Sequence, residues 1–141
     1  LSKILIATHG NFASGIAKSI ELLTGETANI TAIDAYVDDN DLDKELNNYI
    51  QTVNPQDNIY VFTDIYGGSV NQKIMITFQK NNISARIITG FNLPLLLEIT
   101  TTKKLLSDDE LDQIISQSRA ELKRCSLKAI TKTDDSEDFF N

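Results

Sequence analysis

The single histidine of the chain, His9, closes the apolar run Ile4-Leu5-Ile6-Ala7-Thr8 and stands directly before Gly10 and a segment with helical spacing. A carboxylate, Asp64, closes a second run, Asn58–Thr63 (Asn-Ile-Tyr-Val-Phe-Thr), in the same way. In open α/β sheets ligands gather outside the carboxyl ends of the strands, so the two groups can act together if their strands are neighbours. A carboxylate that accepts the proton on one imidazole nitrogen fixes the tautomer and leaves the other nitrogen's lone pair as a nucleophile. A phosphoryl group arriving there brings negative charge and needs donors. Gly10-Asn11 and Gly67-Gly68-Ser69 each open a helical segment, and backbone N–H groups at helix starts receive anions. Ser69 adds a hydroxyl.

Each of these residues alone has an ordinary explanation. A lone histidine is usually without chemistry, an Asp after a strand commonly caps a turn, and Gly67-Gly68 serves as a turn. Their convergence favours a site, because three separated segments bring nucleophile, orienting carboxylate and anion donors to one sheet edge.

The elements that must position them follow from periodicity. Lys3–Thr8 reads as a strand, and Asn11–Leu23 as a helix with Phe12, Ile16, Ile20 and Leu23 on one face. Gly25 ends that helix, and Asn29–Tyr36 is a second strand. Asp38 to Asp41 offer N-caps for a helix with Leu42, Leu46, Tyr49, Ile50 and Val53 on one face, stopped by Asn54-Pro55. After the strand Asn58–Thr63, Ser69 is the expected N-cap of a helix whose stripe is Val70, Ile74 and Phe78. Ser84–Thr89 is a fourth strand, Leu93–Thr100 a short apolar helix, and Ser107-Asp108-Asp109-Glu110 has capping-box spacing for a last helix. Ser126–Lys132 reads as a final edge strand. Strands alternating with helices predict an α/β fold, a mainly parallel sheet with helices on both faces. In the common strand order 2-1-3-4, His9 and Asp64 lie on neighbouring strands.

Composition narrows the function classes. At 141 residues the chain is expected to form one domain. Its net charge of −7, with no cluster of Lys and Arg, argues against nucleic acid as a partner. Cys125 is the only cysteine, which excludes an internal disulfide and a cysteine-rich metal site. A cytoplasmic setting is expected. No stretch approaches the roughly 18 to 20 apolar residues that cross a bilayer. The segment Thr133–Asp138 is too polar to bury, so residues 1–132 are read as the domain and 133–141 as an acidic, disordered tail or the start of a linker.

Three ordered segments carry a resemblance. Ile4-Leu5-Ile6-Ala7-Thr8-His9-Gly10 followed by Ala13 resembles the opening of the mannose-family enzyme IIA domains of the bacterial phosphoenolpyruvate:sugar phosphotransferase system. Val61-Phe62-Thr63-Asp64-Ile65-Tyr66-Gly67-Gly68-Ser69 resembles that family's second motif, and Gly90-Phe91-Asn92-Leu93-Pro94-Leu95-Leu96 its third. The resemblance covers about residues 3 to 100. It departs at Val70, where many members carry Pro, and at Leu95, where Met is common. It implies that His9 is phosphorylated, that Asp64 orients it, and that Ser69 and the backbone after His9 surround the phosphate, with no cofactor and no metal. The implied donor is the histidine-containing phosphocarrier protein. The implied acceptor is an enzyme IIB, coupled to the membrane components IIC and IID. The resemblance further implies a homodimer, in which the C-terminal strand, here Ser126–Lys132, crosses to the partner's sheet.

Rival readings differ at identifiable residues. The phosphotransfer subunit of phosphoenolpyruvate-dependent dihydroxyacetone kinase resembles this pattern but usually opens closer to Ser-His-Ser than to Thr8-His9-Gly10. A receiver domain would need an acidic pair after the first strand, where this chain has Thr8-His9. A flavodoxin-type module would need a hydroxyl-rich phosphate loop, which Gly10-Asn11-Phe12-Ala13-Ser14 is not.

Overall fold

The computed structural model describes residues 2–130. Four strands, β1 (Ser2–His9), β2 (Ile30–Ala35), β3 (Asn58–Thr63) and β4 (Arg86–Thr89), pair in the order β2-β1-β3-β4, every pair parallel. Parallel neighbours need crossovers, and α1 (Phe12–Thr24), α2 (Leu42–Gln51) and α3 (Ser69–Lys80) supply them between successive strands. After β4 come α4 (Leu93–Thr101) and α5 (Asp108–Arg119).

Side chains alternate across a strand, and in the central strands both faces are apolar. Ile4 and Ile6 of β1, with Tyr60 and Phe62 of β3, face a core built with α1, α4 and α5. Leu5 and Ala7, with Ile59 and Val61, face a second core built with α2 and α3. The uninterrupted apolar runs are therefore those of strands covered on both sides. At the two outer strands the burial is less complete.

The helices bury the expected faces with one exception. Leu42, Leu46 and Tyr49 of α2 are buried, as are Val70, Ile74 and Phe78 of α3. In α1, however, Phe12 is 48% and Leu23 59% exposed, and the buried stripe is Ala13, Ile16 and Ile20. Ala13 has no side chain beyond Cβ and is fully buried, so α1 meets the sheet on that line and Phe12 is turned outward, stacked on Phe91 with ring centroids 5.2 Å apart. The capping box of α5 is present: Ser107 Oγ accepts from Glu110 N–H and Glu110 accepts from Ser107 N–H. Lys104 also pairs with Glu110, and the bonds from Lys104 and Ser107 bring its carboxyl down to about 2.

Several boundaries move by a residue: β1 takes in Ser2 and His9, β2 is Ile30–Ala35 rather than Asn29–Tyr36, α1 is Phe12–Thr24 rather than Asn11–Leu23, and α4 reaches Thr101. β4 starts at Arg86 rather than Ser84. The segment expected to form a final strand at 126–132 contains a single 3-10 turn, Leu127–Ile130, in the isolated chain. Among the described residues the sheet has only its four strands, and this segment joins neither outer one. Thr131, Lys132 and the acidic segment 133–141 lie outside the described residues.

Candidate functional site

The strand order reverses direction between β1 and β3, and His9 and Asp64 meet at that crevice. The β1–β3 ladder ends at Ala7 opposite Thr63, whereas β1 continues beside β2 to His9 opposite Ala35. Beyond the end of β3, the His9 N–H donates to Asp64 Oδ2 at 2.9 Å, so a side-chain carboxylate takes the place of a ladder carbonyl. The same oxygen lies 3.0 Å from His9 Nδ1, and Oδ1 accepts from Ile65 N–H at 3.0 Å.

The Asp64 side chain is 11% exposed and that of His9 39%. Burial alone would raise the Asp64 carboxyl, but the His9 backbone N–H, its ring and its charge outweigh that, and the carboxyl titrates below its ordinary value. An ionised carboxylate only accepts. The shared proton therefore sits on Nδ1, and in the neutral ring Nε2 keeps its lone pair. Nε2 looks toward the start of α3, where Ser69 Oγ lies 3.4 Å away.

Two helix starts border the ring, and their amides are used differently. Gly10 N–H donates to Ala35 C=O, Ala13 N–H to the buried Thr8 Oγ1 at 2.8 Å, and Ser14 N–H to Asp34 Oδ1 at 2.9 Å. At α3, Gly67 N–H donates to Asn71 Oδ1 and Gly68 N–H to Ile65 C=O. The first intrahelical bond of α3 runs from Gln72 N–H to Gly68 C=O. The amides of Ser69, Val70 and Asn71 thus have no acceptor among the described residues, as expected for the first turn of a helix. Neither α1 nor α3 carries an acidic side chain in its first turn, whereas α2 and α5 do.

Glycine is favoured at two positions in this loop, for separate reasons. Gly67 has φ +75°, a left-handed conformation that other residues adopt at a cost. Gly68 is extended, and there the need is space: a Cβ would lie 3.3 Å from Ile65 O and 3.6 Å from His9 Cε1. Gly68 also takes the N-cap position expected for Ser69, which becomes the first helical residue. Freed from capping, the Ser69 hydroxyl faces His9.

All seven expected site residues, His9, Gly10, Asn11, Asp64, Gly67, Gly68 and Ser69, fall in or beside this crevice. The N–H groups of Gly10, Gly67 and Gly68 are already engaged, so these glycines shape the loops. Among the described residues the open donors are the amides of Asn11 and Phe12 and of Ser69, Val70 and Asn71. Asn11 occupies the N-cap of α1 without a side-chain capping bond.

Four further residues build the site and were not singled out from the sequence. Thr8 and Asp34 hold the start of α1. Asn71, buried, donates from Nδ2 to Thr63 Oγ1 at 2.9 Å while accepting from Gly67 N–H, so it locks the glycine loop to the end of β3. A polar residue inside the apolar stripe of α3 was the available signal for it. Tyr36, which follows β2, bonds through its hydroxyl to Ser69 Oγ at 2.8 Å. The third motif is used structurally: Asn92 Oδ1 accepts from Leu95 N–H at the start of α4, and its Nδ2 donates to Ser118 C=O.

Among the described residues no cluster of His, Cys, Asp and Glu could hold a metal ion, and no helix is long and apolar enough to cross a membrane.

Fold and site together define a class: a doubly covered parallel α/β domain with a carboxylate-paired histidine at its topological switch point. Residues 3–116 match the family described as PTS system fructose IIA component, and the chain belongs to that family, the IIA components of the sugar phosphotransferase system. The PTS IIA protein associated with the fucose utilization operon from Streptococcus pneumoniae is 30% identical, with 87% of this chain and 92% of that one covered and a TM-score of 0.75. A phosphotransferase system component EIIA from Streptococcus agalactiae is 24% identical (88% and 97% covered, TM-score 0.70). The mannose/sorbose specific IIA subunit from Enterococcus faecalis is 18% identical (89% and 96% covered, TM-score 0.74). The last two establish the shared fold.

Proposed function

We propose that this chain is a phosphocarrier in which His9 Nε2 accepts a phosphoryl group from the histidine-containing phosphocarrier protein and passes it to an enzyme IIB, coupling sugar uptake to phosphorylation by the membrane components. The observation that carries this reading is the pairing of His9 Nδ1 with Asp64 Oδ2 at 3.0 Å while Nε2 faces Ser69 at the open start of α3. Asp64 holds the ring in the tautomer whose free nitrogen points outward. The lone pair of Nε2 forms the new N–P bond as the donor's N–P bond breaks, and the donor nitrogen keeps the electron pair. The Nδ1 proton stays where it is, paired with Asp64.

The transferred group carries its charge on oxygens, so catalysis is mostly positioning and electrostatic stabilisation. The amides of Ser69, Val70 and Asn71 and the Ser69 hydroxyl supply the donors at the positive end of α3. Residues 1–132 form the carrier domain, working in the cytoplasm as a homodimer, with Ser126–Lys132 as the segment that pairs with a partner's sheet. The matched relatives are IIA components, which supports this reading over the dihydroxyacetone kinase subunit. The sugar is left unassigned, because the nucleophile is the same whichever sugar is finally phosphorylated.

Incubation with phosphoenolpyruvate and the general phosphotransferase proteins, followed by intact mass, tests the proposal. Wild type should gain one acid-labile phosphoryl group and His9→Ala none. A wild type that stays unlabelled beside a charged donor phosphocarrier would sink it.

A further inference from the structure

Tyr36 stands beside His9 in a place that packing does not account for. It is 56% exposed, so core burial does not hold it, and its φ of +67° lies in the left-handed region that bulky residues avoid. Backbone outliers of this kind gather at functional sites, where the surroundings over-determine them. Here the surroundings are identifiable. The preceding residue, Ala35, accepts the Gly10 N–H at 2.9 Å, which ties the end of β2 to the loop after His9. The Tyr36 ring lies 5.5 Å from the imidazole, tilted by 48°. Its hydroxyl meets Ser69 Oγ at 2.8 Å, and that oxygen is the one lying 3.4 Å from His9 Nε2.

We infer that Tyr36 is a positioning residue for phosphoryl transfer at His9, acting by aiming the Ser69 hydroxyl. The inference rests on the phosphocarrier reading above. A serine hydroxyl has one proton and rotates to suit its neighbours. Of its two contacts in the site, the one to Tyr36 is much the shorter. A phenol is a stronger hydrogen-bond donor than an aliphatic alcohol, and in the proposed arrangement Tyr36 O–H donates to Ser69 Oγ. The serine proton is thereby turned away from Tyr36 and toward the space next to Nε2, where a phosphoryl oxygen stands once the N–P bond has formed. Accepting from the phenol also makes the serine a better donor to that oxygen, since hydrogen bonds in a chain polarise one another. No proton is transferred along Tyr36 and Ser69 at any stage. They donate hydrogen bonds, while the N–P bond to the donor breaks and the bond to Nε2 forms. Without the phenol, the Ser69 hydroxyl rotates freely and is no longer held toward the position of the incoming phosphoryl oxygen.

The test is a double-mutant cycle on rapid phosphoryl transfer from the charged histidine-containing phosphocarrier protein, with wild type, Tyr36→Phe, Ser69→Ala and the double variant. Phe keeps the ring over His9 and the local backbone, and each variant's melting temperature is checked first. Tyr36→Phe should lower the limiting transfer rate about three- to tenfold, the loss of one neutral hydrogen bond, and leave the half-saturating donor concentration unchanged. In the Ser69→Ala background the same substitution should have no effect, because the group it acts through is gone. Normal rates in Tyr36→Phe would overturn the inference, as would an equal loss in both backgrounds or a rise confined to the half-saturating concentration. Those three outcomes leave labelled His9 intact; an unlabelled wild type would instead overturn the phosphocarrier reading and this inference with it.

Discussion

At the start of α1, Thr8 and Asp34 bring side-chain oxygens to the amides of Ala13 and Ser14, and Ala35 C=O takes the Gly10 N–H. At the start of α3, the amides of Ser69, Val70 and Asn71 meet no acceptor among the described residues, and the residue that could have capped them has been replaced at the cap by Gly68. Both helix starts border the same imidazole, yet the α1 end is largely filled by the protein's own groups, with only the amides of Asn11 and Phe12 left open, while all three first-turn amides of α3 are open. The filled end holds β1, β2 and α1 in fixed relation, so His9 emerges from a rigid support. The open end is where incoming negative charge can be received. The division is between building the site and using it.

Substitutions at the two ends should therefore separate stability from activity. The largest effect is expected between them, at Asp64. Asp64→Ala removes tautomer control, and transfer to His9 should slow by about two orders of magnitude or more. It also leaves the half-buried His9 N–H without its acceptor, at about 1–3 kcal/mol of stability measured by urea unfolding. At the open end, Ser69→Ala should slow transfer about tenfold while shifting the unfolding free energy by less than about 0.5 kcal/mol. At the filled end the pattern should invert. Thr8→Val keeps the buried volume but strands the Ala13 N–H, so unfolding should become easier by about 1–2 kcal/mol with transfer rates close to wild type. A Thr8→Val variant that is stable but slow would erase the distinction.

The pH dependence of stability sharpens the same point. The Asp64 carboxyl titrates below its ordinary value in the folded chain, so it binds protons less readily when folded than when unfolded. Its stabilising contribution is complete above the unfolded value of about 3.9 and is lost as pH falls through the folded value. The stability gap between wild type and Asp64→Asn should be largest near neutrality and close as the solution is taken toward pH 2. A gap that widens in acid would reverse the sign of the linkage. The smallest effect is spectroscopic: on phosphorylation the backbone amide signals of Ser69, Val70 and Asn71 should move further than those of Ala13 and Ser14.

Much of this architecture is legible in the sequence, and the departures have physical causes. The strand Asn58–Thr63 was legible to the residue because β-branched and aromatic side chains run between two turn signals. The meeting of His9 and Asp64 was legible because each closes an apolar run and parallel order does the rest. The α1 stripe runs through Ala13 and not through Phe12 and Leu23. Spacing of three and four identifies a helix but does not choose between adjacent stripes, and fully buried Ala13 sets the line of closest approach. Residue type favours Ser69 as a cap, but the extended Gly68 preceding it has no side chain and its carbonyl accepts the first helical bond. Tyr36 left no local signature, since its left-handed backbone and its bond to Ser69 depend on residues 33 positions apart. The edge strand expected at 126–132 is a 3-10 turn over Leu127–Ile130, and Thr131 and Lys132 lie outside the described residues.

The most direct test of the central claim is a long-range ¹H–¹⁵N correlation spectrum of the His9 imidazole before and after phosphorylation. The structure pairs Nδ1 with Asp64 and turns Nε2 toward α3, so the phosphoryl group should appear on Nε2, with Nδ1 still protonated. Phosphorylation at Nδ1, or a label on any residue other than His9, would contradict the account.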